Sequence, residues 1–254
     1  MKNSMKTINK RRDKLLEIIK NEGVTNVANL AKSVNVSEMS VRRDCQVLEK
    51  MGEIKLSFGK IEYLENSSVQ EEGNRIDQIN SKIAQMAVNY IDDDQMIFIN
   101  SSKTAIKVLN YIEDRHVNII TNNLRAIGST LNSESSLILS GGEIRNGADI
   151  LTGDIALETF RNMRASVSLI GCAGFDVKNG LTTTNIHEAQ INRIIINNCQ
   201  KLIVLANYTK INKTTNFNVG ALSDVDLLIT DVYADEEYIK QIRNAGVEVI
   251  QVSI

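Results

Sequence analysis

The chain has 254 residues, 43% of them apolar and 24% charged, and a formal net charge of −2. This leaves room for one large domain or two smaller ones with packed cores, and it excludes a disordered chain. No run reaches the ~18 uninterrupted apolar residues of a membrane span, and three cysteines without paired spacing (Cys45, Cys172, Cys199) suggest neither a disulfide nor a metal framework.

The basic opening MKNSMKTINKRRDK has no apolar block behind it, so no secretory leader is expected and a reducing cytoplasm is. The charge is uneven. Residues 1–60 carry a net +6 and the remainder −8, so only the head is expected to approach nucleic acid.

The head, residues 1–64, predicts three helices and a hairpin. Residues 10–21 put Leu15, Leu16, Ile18 and Ile19 on one side of a helix stopped by Gly23. Asn26 caps a second helix over 27–33, with Val27, Leu30, Ala31 and Val34 as its apolar side. Ser37 caps a third helix over 38–51, ended by Gly52, whose buried stripe is Val41, Cys45, Leu48 and Met51. Two short apolar runs, 54–56 and 61–63, flank Ser57-Phe58-Gly59-Lys60 as a hairpin.

A polar stretch, residues 65–74 (ENSSVQEEGN), reads as a linker. From Arg75 onward the pattern alternates. Ile76, Ile79, Ile83, Met86 and Tyr90 recur at helical spacing. Apolar runs at 96–99, 117–120, 137–139, 167–170, 202–205, 227–229 and 247–252 then alternate with helical segments at 105–112, 124–131, 186–198 and 235–244. Continuous Ile/Val/Leu strands between helices predict a parallel-rich α/β sheet covered on both faces over residues 75–254.

Helix, helix, tight turn and a third helix with a basic outer face is the helix-turn-helix layout, with the hairpin as a wing. Opposite the buried stripe stand Ser37, Ser40, Arg42 and Arg43. Hydroxyls suit phosphate, arginine suits guanine or phosphate, and Lys55 and Lys60 of the wing suit the backbone. Asp44 would repel phosphate, so its expected task is to orient an arginine or to cap charge. A dimerisation module with a solvated Arg42-Arg43 pair is the bland alternative.

The opening RRDKLLEIIKNEGVTNVANLA and VSEMSVRRDCQVLEKMGEI resemble the DeoR family of bacterial transcription regulators. NRIDQINSKIAQMA, IFINSSKT, IITNNL, LILSGGEIR, LTGDIA, IGCAGFDVKNGLTTTN, LIVLANYTK and LITD follow in that family's order, so the resemblance covers nearly the whole chain. It implies a winged helix-turn-helix joined to a sensor domain of the sugar-phosphate isomerase and CoA-transferase type. It also implies transcriptional control of carbohydrate genes by a phosphorylated sugar.

Ligands of open α/β sheets sit beyond the carboxyl ends of the strands. Those ends carry Asn100-Ser101-Ser102-Lys103-Thr104, Thr121-Asn122-Asn123, Ser140-Gly141-Gly142, Gly171-Cys172-Ala173-Gly174 and Asn207-Tyr208-Thr209-Lys210. Phosphate is expected near Ser101, Ser102, Lys103, Thr104 and Lys210. Asn100, Asn122 and Asn207 are expected on hydroxyls, with Thr121, Gly141, Gly142, Gly171 and Gly174 completing the site. Where the family usually has Asp and a Gly-Ser-Thr type turn, this chain has Asn100, Ser102, Lys103 and Thr104. Where the family has Leu-Ala-Asp and then a lysine, it has Leu205-Ala206-Asn207 and Lys210.

No G-x-G-x-x-G or P-loop appears, so no nucleotide cofactor is expected, and His116 and His187 are too few to suggest a metal. Two alternatives compete with an effector-controlled repressor. One is a sugar-phosphate isomerase, for which Glu143, Asp149, Asp154, Asp176, His187 and Glu188 are the acid–base candidates but lie in no paired arrangement. The other is a DNA-binding repressor without an effector. The expected partners are operator DNA, a phosphorylated sugar and further copies of the chain, with no membrane.

Overall fold

The computed structural model describes residues 5–50, 53–57, 59–64, 66–144 and 149–253. It divides into two compact units, Met1–Arg75 and Ile76–Ile254.

In the first unit α1 (Met5–Glu22) is followed by β1 (Val24–Thr25), α2 (Val27–Val34), α3 (Glu38–Lys50), β2 (Ile54–Ser57) and β3 (Lys60–Tyr63). The Asn26 side chain accepts from the Asn29 amide at 2.9 Å, and Asn35 closes α2 in the left-handed region at φ 52°. Ser37 Oγ accepts from the Ser40 amide at 3.4 Å and starts α3. Leu15, Ile19, Leu30, Val41, Cys45, Leu48, Ile54 and Ile61 form one buried core. Met51, Gly52, Phe58 and Glu65 lie outside the described residues, so Met51's place in the stripe, Gly52's helix stop and part of the hairpin turn do too. Pairing runs from Ile54–Tyr63 to Ser57–Lys60, and β1 adds a third strand against β3, too short to have been read from the sequence.

The segment 66–74, expected as a linker, is helical: α4 runs Asn66–Ala87. With no proline and only Gly73 to weaken it, by about 1 kcal/mol, the polar stretch carries on the helical repeat of Ile79 and Ile83.

The second unit continues with β4 (Met96–Ile99), β5 (Asn118–Thr121), β6 (Ser136–Leu139), β7 (Glu143–Ile144), β8 (Leu151–Thr152), α5 (Asp154–Arg161) and β9 (Ala165–Ile170). Then come β10 (Gly174–Asp176), β11 (Gly180–Thr183), α6 (Ile186–Asn197), β12 (Cys199–Leu205), β13 (Phe217–Gly220), β14 (Leu227–Asp231), α7 (Glu236–Asn244) and β15 (Glu248–Val252). Seven strands form one sheet in the order β15-β14-β12-β9-β4-β5-β6, every pair parallel.

Successive strand residues serve opposite faces, as a repeat of two demands. Ile97, Ile99, Ile203, Leu205, Leu227 and Ile229 pack with Ile79 and Ile83 of α4. Phe98, Leu202, Val204 and Leu228 pack with α5, α6 and α7 through Phe160, Ile191, Ile195 and Ile239. The Phe98 and Phe160 rings meet edge to face at 5.2 Å, worth about 0.5–1.5 kcal/mol beyond their buried area.

Two expected helices are single 3-10 segments, Ala105–Asn110 and Leu124–Ala126. In the first, Ser102 Oγ takes the Thr104 and Ala105 amides at 3.1 and 3.3 Å and tightens the turn, and Ala105/Val108 and Ile106/Leu109 are buried in pairs three apart. In the second, Gly128 at φ 86° turns the chain after one turn. The antiparallel β10-β11-β13 sheet and the β7-β8 pair are additions to the expected fold.

Candidate functional site

In the first unit Ser37, Arg42, Arg43, Lys55 and Lys60 are exposed and Ser40 is half-buried. The Ser37 and Ser40 hydroxyls lie 3.0 Å apart at the start of α3. Arg42 is held only loosely by Glu38, at 3.9 Å with both side chains exposed, a pair of small worth. Arg42 and Lys60 border one concavity between α3 and the hairpin, together with Gln46 and Gly59, whereas Arg43 and Lys55 lie outside its wall.

Asp44 does orient arginines, but those of α1. It is 2% exposed, and its two oxygens accept from Arg11 Nε at 2.6 Å and Arg12 Nε at 3.0 Å. Two of the basic residues behind the head's positive charge are therefore spent inside the domain. No sequence pattern had linked positions 33 residues apart.

At the carboxyl ends of the parallel strands lies a pocket of about 390 Å³. Eight expected residues line it: Asn100, Ser101, Ser102, Lys103, Thr104, Gly171, Asn207 and Lys210. Five others from distant elements join them: Ile76 and Asn80 of α4, Thr183 of β11, Thr184 just after it, and Glu188 of α6. Asn80 carried no signal, because it sits beside the buried stripe of a helix. Glu188 was visible only as an acid–base candidate; Glu143, Asp149, Asp154, Asp176 and His187 do not line the pocket.

Five expected residues lie elsewhere. Thr121 is fully buried and its hydroxyl accepts from the Asn123 amide at 3.1 Å. Asn122 is turned to the Leu151 carbonyl at 3.1 Å and fastens the segment before α5. Gly141 and Gly142 form the turn after β6, where a Cβ on Gly142, at φ 114°, would collide with the Thr152 carbonyl oxygen. A Cβ on Gly174 would meet the Lys213 carbonyl. Gly142 and Gly174 thus let backbone approach backbone, while Gly141, at φ 68°, faces the Ile155 side chain.

Asn100 lines the pocket but has nothing left for a hydroxyl. Its Nδ2 donates to the Gly171 carbonyl at 2.9 Å and to Asn192 Oδ1 at 3.2 Å. Its Oδ1 accepts from the Gly171 and Ser102 amides at 3.1 and 3.2 Å. A carboxylate there could accept but not donate, so the amide fits the two acceptors around it. Asn207 donates to Asn80 at 2.8 Å and accepts from the Thr209 amide and hydroxyl, which leaves one N–H unspent.

Among the described residues no carboxylate lies within 4 Å of Lys103 or Lys210. Burial pushes the Cys172 thiol in the pocket wall up to about 12, against the pull of Lys210. Glu188 is the one carboxylate among the lining residues and accepts from the Thr183 hydroxyl at 3.0 Å. The pocket wall thus combines two cations, Lys103 and Lys210, with hydroxyl and amide groups and the Glu188 carboxylate. The helix N-terminus expected to favour an anion is a six-residue 3-10 segment whose first amides Ser102 already holds.

Residues 11–67 match the model of the DeoR-like helix-turn-helix domain, and residues 78–232 that of the DeoR C terminal sensor domain. The HTH-type transcriptional regulator GolR of Listeria innocua is 27% identical over 245 residues, 94% of this chain and 96% of its own. The glycerol-3-phosphate regulon repressor of Escherichia coli is 26% identical over 227 residues, 87% of this chain and 90% of its own. A ribose 5-phosphate isomerase A of Methanocaldococcus jannaschii overlaps 53% of this chain and 54% of its own at 17% identity and a TM-score of 0.38.

Proposed function

Because this chain belongs to the DeoR family of transcriptional regulators, and not to a family of enzymes, we propose that it represses genes of carbohydrate metabolism and that a phosphorylated sugar bound in the strand-end pocket controls its hold on operator DNA. One observation carries the effector half of this reading. Two lysines with no carboxylate partner among the described residues, Lys103 and Lys210, share a pocket with a run of hydroxyl and amide groups. A phosphate monoester satisfies the first and a polyol the second, each lysine contact being worth about 1.5–3 kcal/mol. One relative named above, the glycerol-3-phosphate regulon repressor, supports the carbohydrate half.

In the head, Arg43 and Arg42 address base edges or phosphates, Ser37 and Ser40 phosphates, and Lys55 and Lys60 the backbone beside the hairpin. One such head makes few contacts, so at least two copies of the chain act together on repeated half-sites. Effector control needs only unequal affinity for the DNA-competent and DNA-incompetent states, commonly about 1–3 kcal/mol of coupling.

The test is fluorescence anisotropy on an operator selected from genomic fragments, titrated with a panel of sugar phosphates and their unphosphorylated parents. A phosphosugar should shift operator affinity about 5–150-fold, its parent sugar should not, and Lys210→Ala should abolish the response. Operator binding indifferent to the whole panel would leave a repressor without an effector.

A further inference from the structure

We propose that the effector pocket opens into a second anion-binding cavity, and that the ligand it is built for carries two anionic groups, as a bisphosphorylated sugar or polyol does. The inference rests on the phosphosugar reading of the first pocket and adds a second end to it.

The second cavity, about 280 Å³, adjoins the first: Asn80 and Lys103 border both. Three cations line it, Lys103, Lys107 and Arg125, against a single lining carboxylate, Asp77. Lys107 Nζ is engaged by Asp77 at 3.0 Å and by the Ser81 hydroxyl at 3.3 Å. That ion pair has a sufficient structural purpose, since it ties α4 to the 3-10 segment after β4.

Arg125 and Lys103 are not explained in that way. Among the described residues Arg125 gives only Nε, to Asp149 at 2.9 Å, and its side chain is 47% exposed. A guanidinium has five N–H donors in a planar fork, so the four on its terminal nitrogens stay available for a tetrahedral anion. Lys103 is exposed and carries no ion pair among the described residues, and it stands where the two cavities meet.

A monophosphate fills one end of this arrangement. A ligand with anions at both ends engages Lys210 in the first cavity and Arg125 in the second, with Lys103 at the junction within reach of either end. Joining the two makes the second contact intramolecular, so its gain in affinity exceeds that of either phosphate alone.

The test is isothermal titration of the full chain with matched pairs of probes, fructose 6-phosphate against fructose 1,6-bisphosphate and glucose 6-phosphate against glucose 1,6-bisphosphate. At least one bisphosphate should bind about tenfold or more tightly than its monophosphate, the worth of one charge-assisted contact. Arg125→Gln should bring that ratio to within about threefold of unity. Ser129→Asp adds a carboxylate to the wall of the same cavity and breaks neither ion pair. It should collapse the ratio as well, and it answers for any disturbance that Arg125→Gln causes around Asp149. Equal affinity of mono- and bisphosphates for the wild type overturns the second site and leaves the phosphosugar reading standing. If nothing phosphorylated in the panel binds, both readings fall together.

Discussion

Asp44→Ala offers a sharp test of how the head is held together. The carboxylate is 3% exposed as a side chain, and the two arginines that clasp it, Arg11 and Arg12, are 16% and 25% exposed. Removing one side of a buried ion pair costs about 3–5 kcal/mol, because the remaining charge has lost both its water and its partner. Here the arginines keep some solvent, so the low end, about 3 kcal/mol, is the expectation. A domain of this size holds only about 3–9 kcal/mol in total. Hydrogen exchange on the full chain reads the change locally: amides of α1 and α3 should exchange about a hundredfold faster. Those of β4 and β9, in the other unit, should be unaltered. Arg11→Ala should cost more than Arg12→Ala, since Arg11 is both closer, at 2.6 against 3.0 Å, and more buried. A less than threefold change in α3 exchange in Asp44→Ala, or the reverse order of the two arginines, would refute the reasoning.

Asn100→Asp should destabilise the second unit by about 2–4 kcal/mol in urea unfolding, since it loses two donated bonds and sets oxygens against the Gly171 and Asn192 oxygens. Arg43→Ala, exposed and outside every core, should weaken operator binding by about 1–3 kcal/mol in anisotropy with an unchanged thermal midpoint. Cys45 gives a pH signature. Burial first, and the Asp44 carboxylate second, push its thiol up to about 11 from the usual 9.0. The folded head therefore holds that proton more tightly than the unfolded chain. The stabilisation is complete below pH 9 and is lost as pH rises through 11. Between those limits the wild type should lose about 2 kcal/mol more than Cys45→Ala in paired denaturation series.

The sequence made periodic features legible. The α3 stripe of Val41, Cys45 and Leu48 is buried as its spacing required, and the seven parallel strands sit on the seven apolar runs. Such features need only a local pattern and a core. What escaped was set by partners far along the chain. Whether Asn122 faces a ligand or the Leu151 carbonyl depends on a segment 29 residues away. The helical spacing of Ala105, Ile106, Val108 and Leu109 suits a 3-10 segment as well as an α-helix, so spacing does not separate the two. Glycine after a strand signals close approach, but Gly142 makes its approach to Thr152. For Asp44 the sequence leaves open whether it orients an arginine or caps charge, and its pairing with Arg11 and Arg12 needs the third dimension.

The four bonds of Asn100 also bear on how a ligand would be felt. Two pin the loop after β4 to Gly171 in the loop after β9, a third reaches Asn192 of α6, and the fourth closes the loop on its own Ser102 amide. This floor is set before anything arrives, so binding need not spend entropy on ordering it. The freedom that remains belongs to the long side chains at the rim, Lys103 above all. A ligand that reached only the floor would find it already rigid and would change little. One that immobilises the rim lysines is the kind that alters the molecule's entropy, and such a change can be passed on without any visible displacement of the backbone.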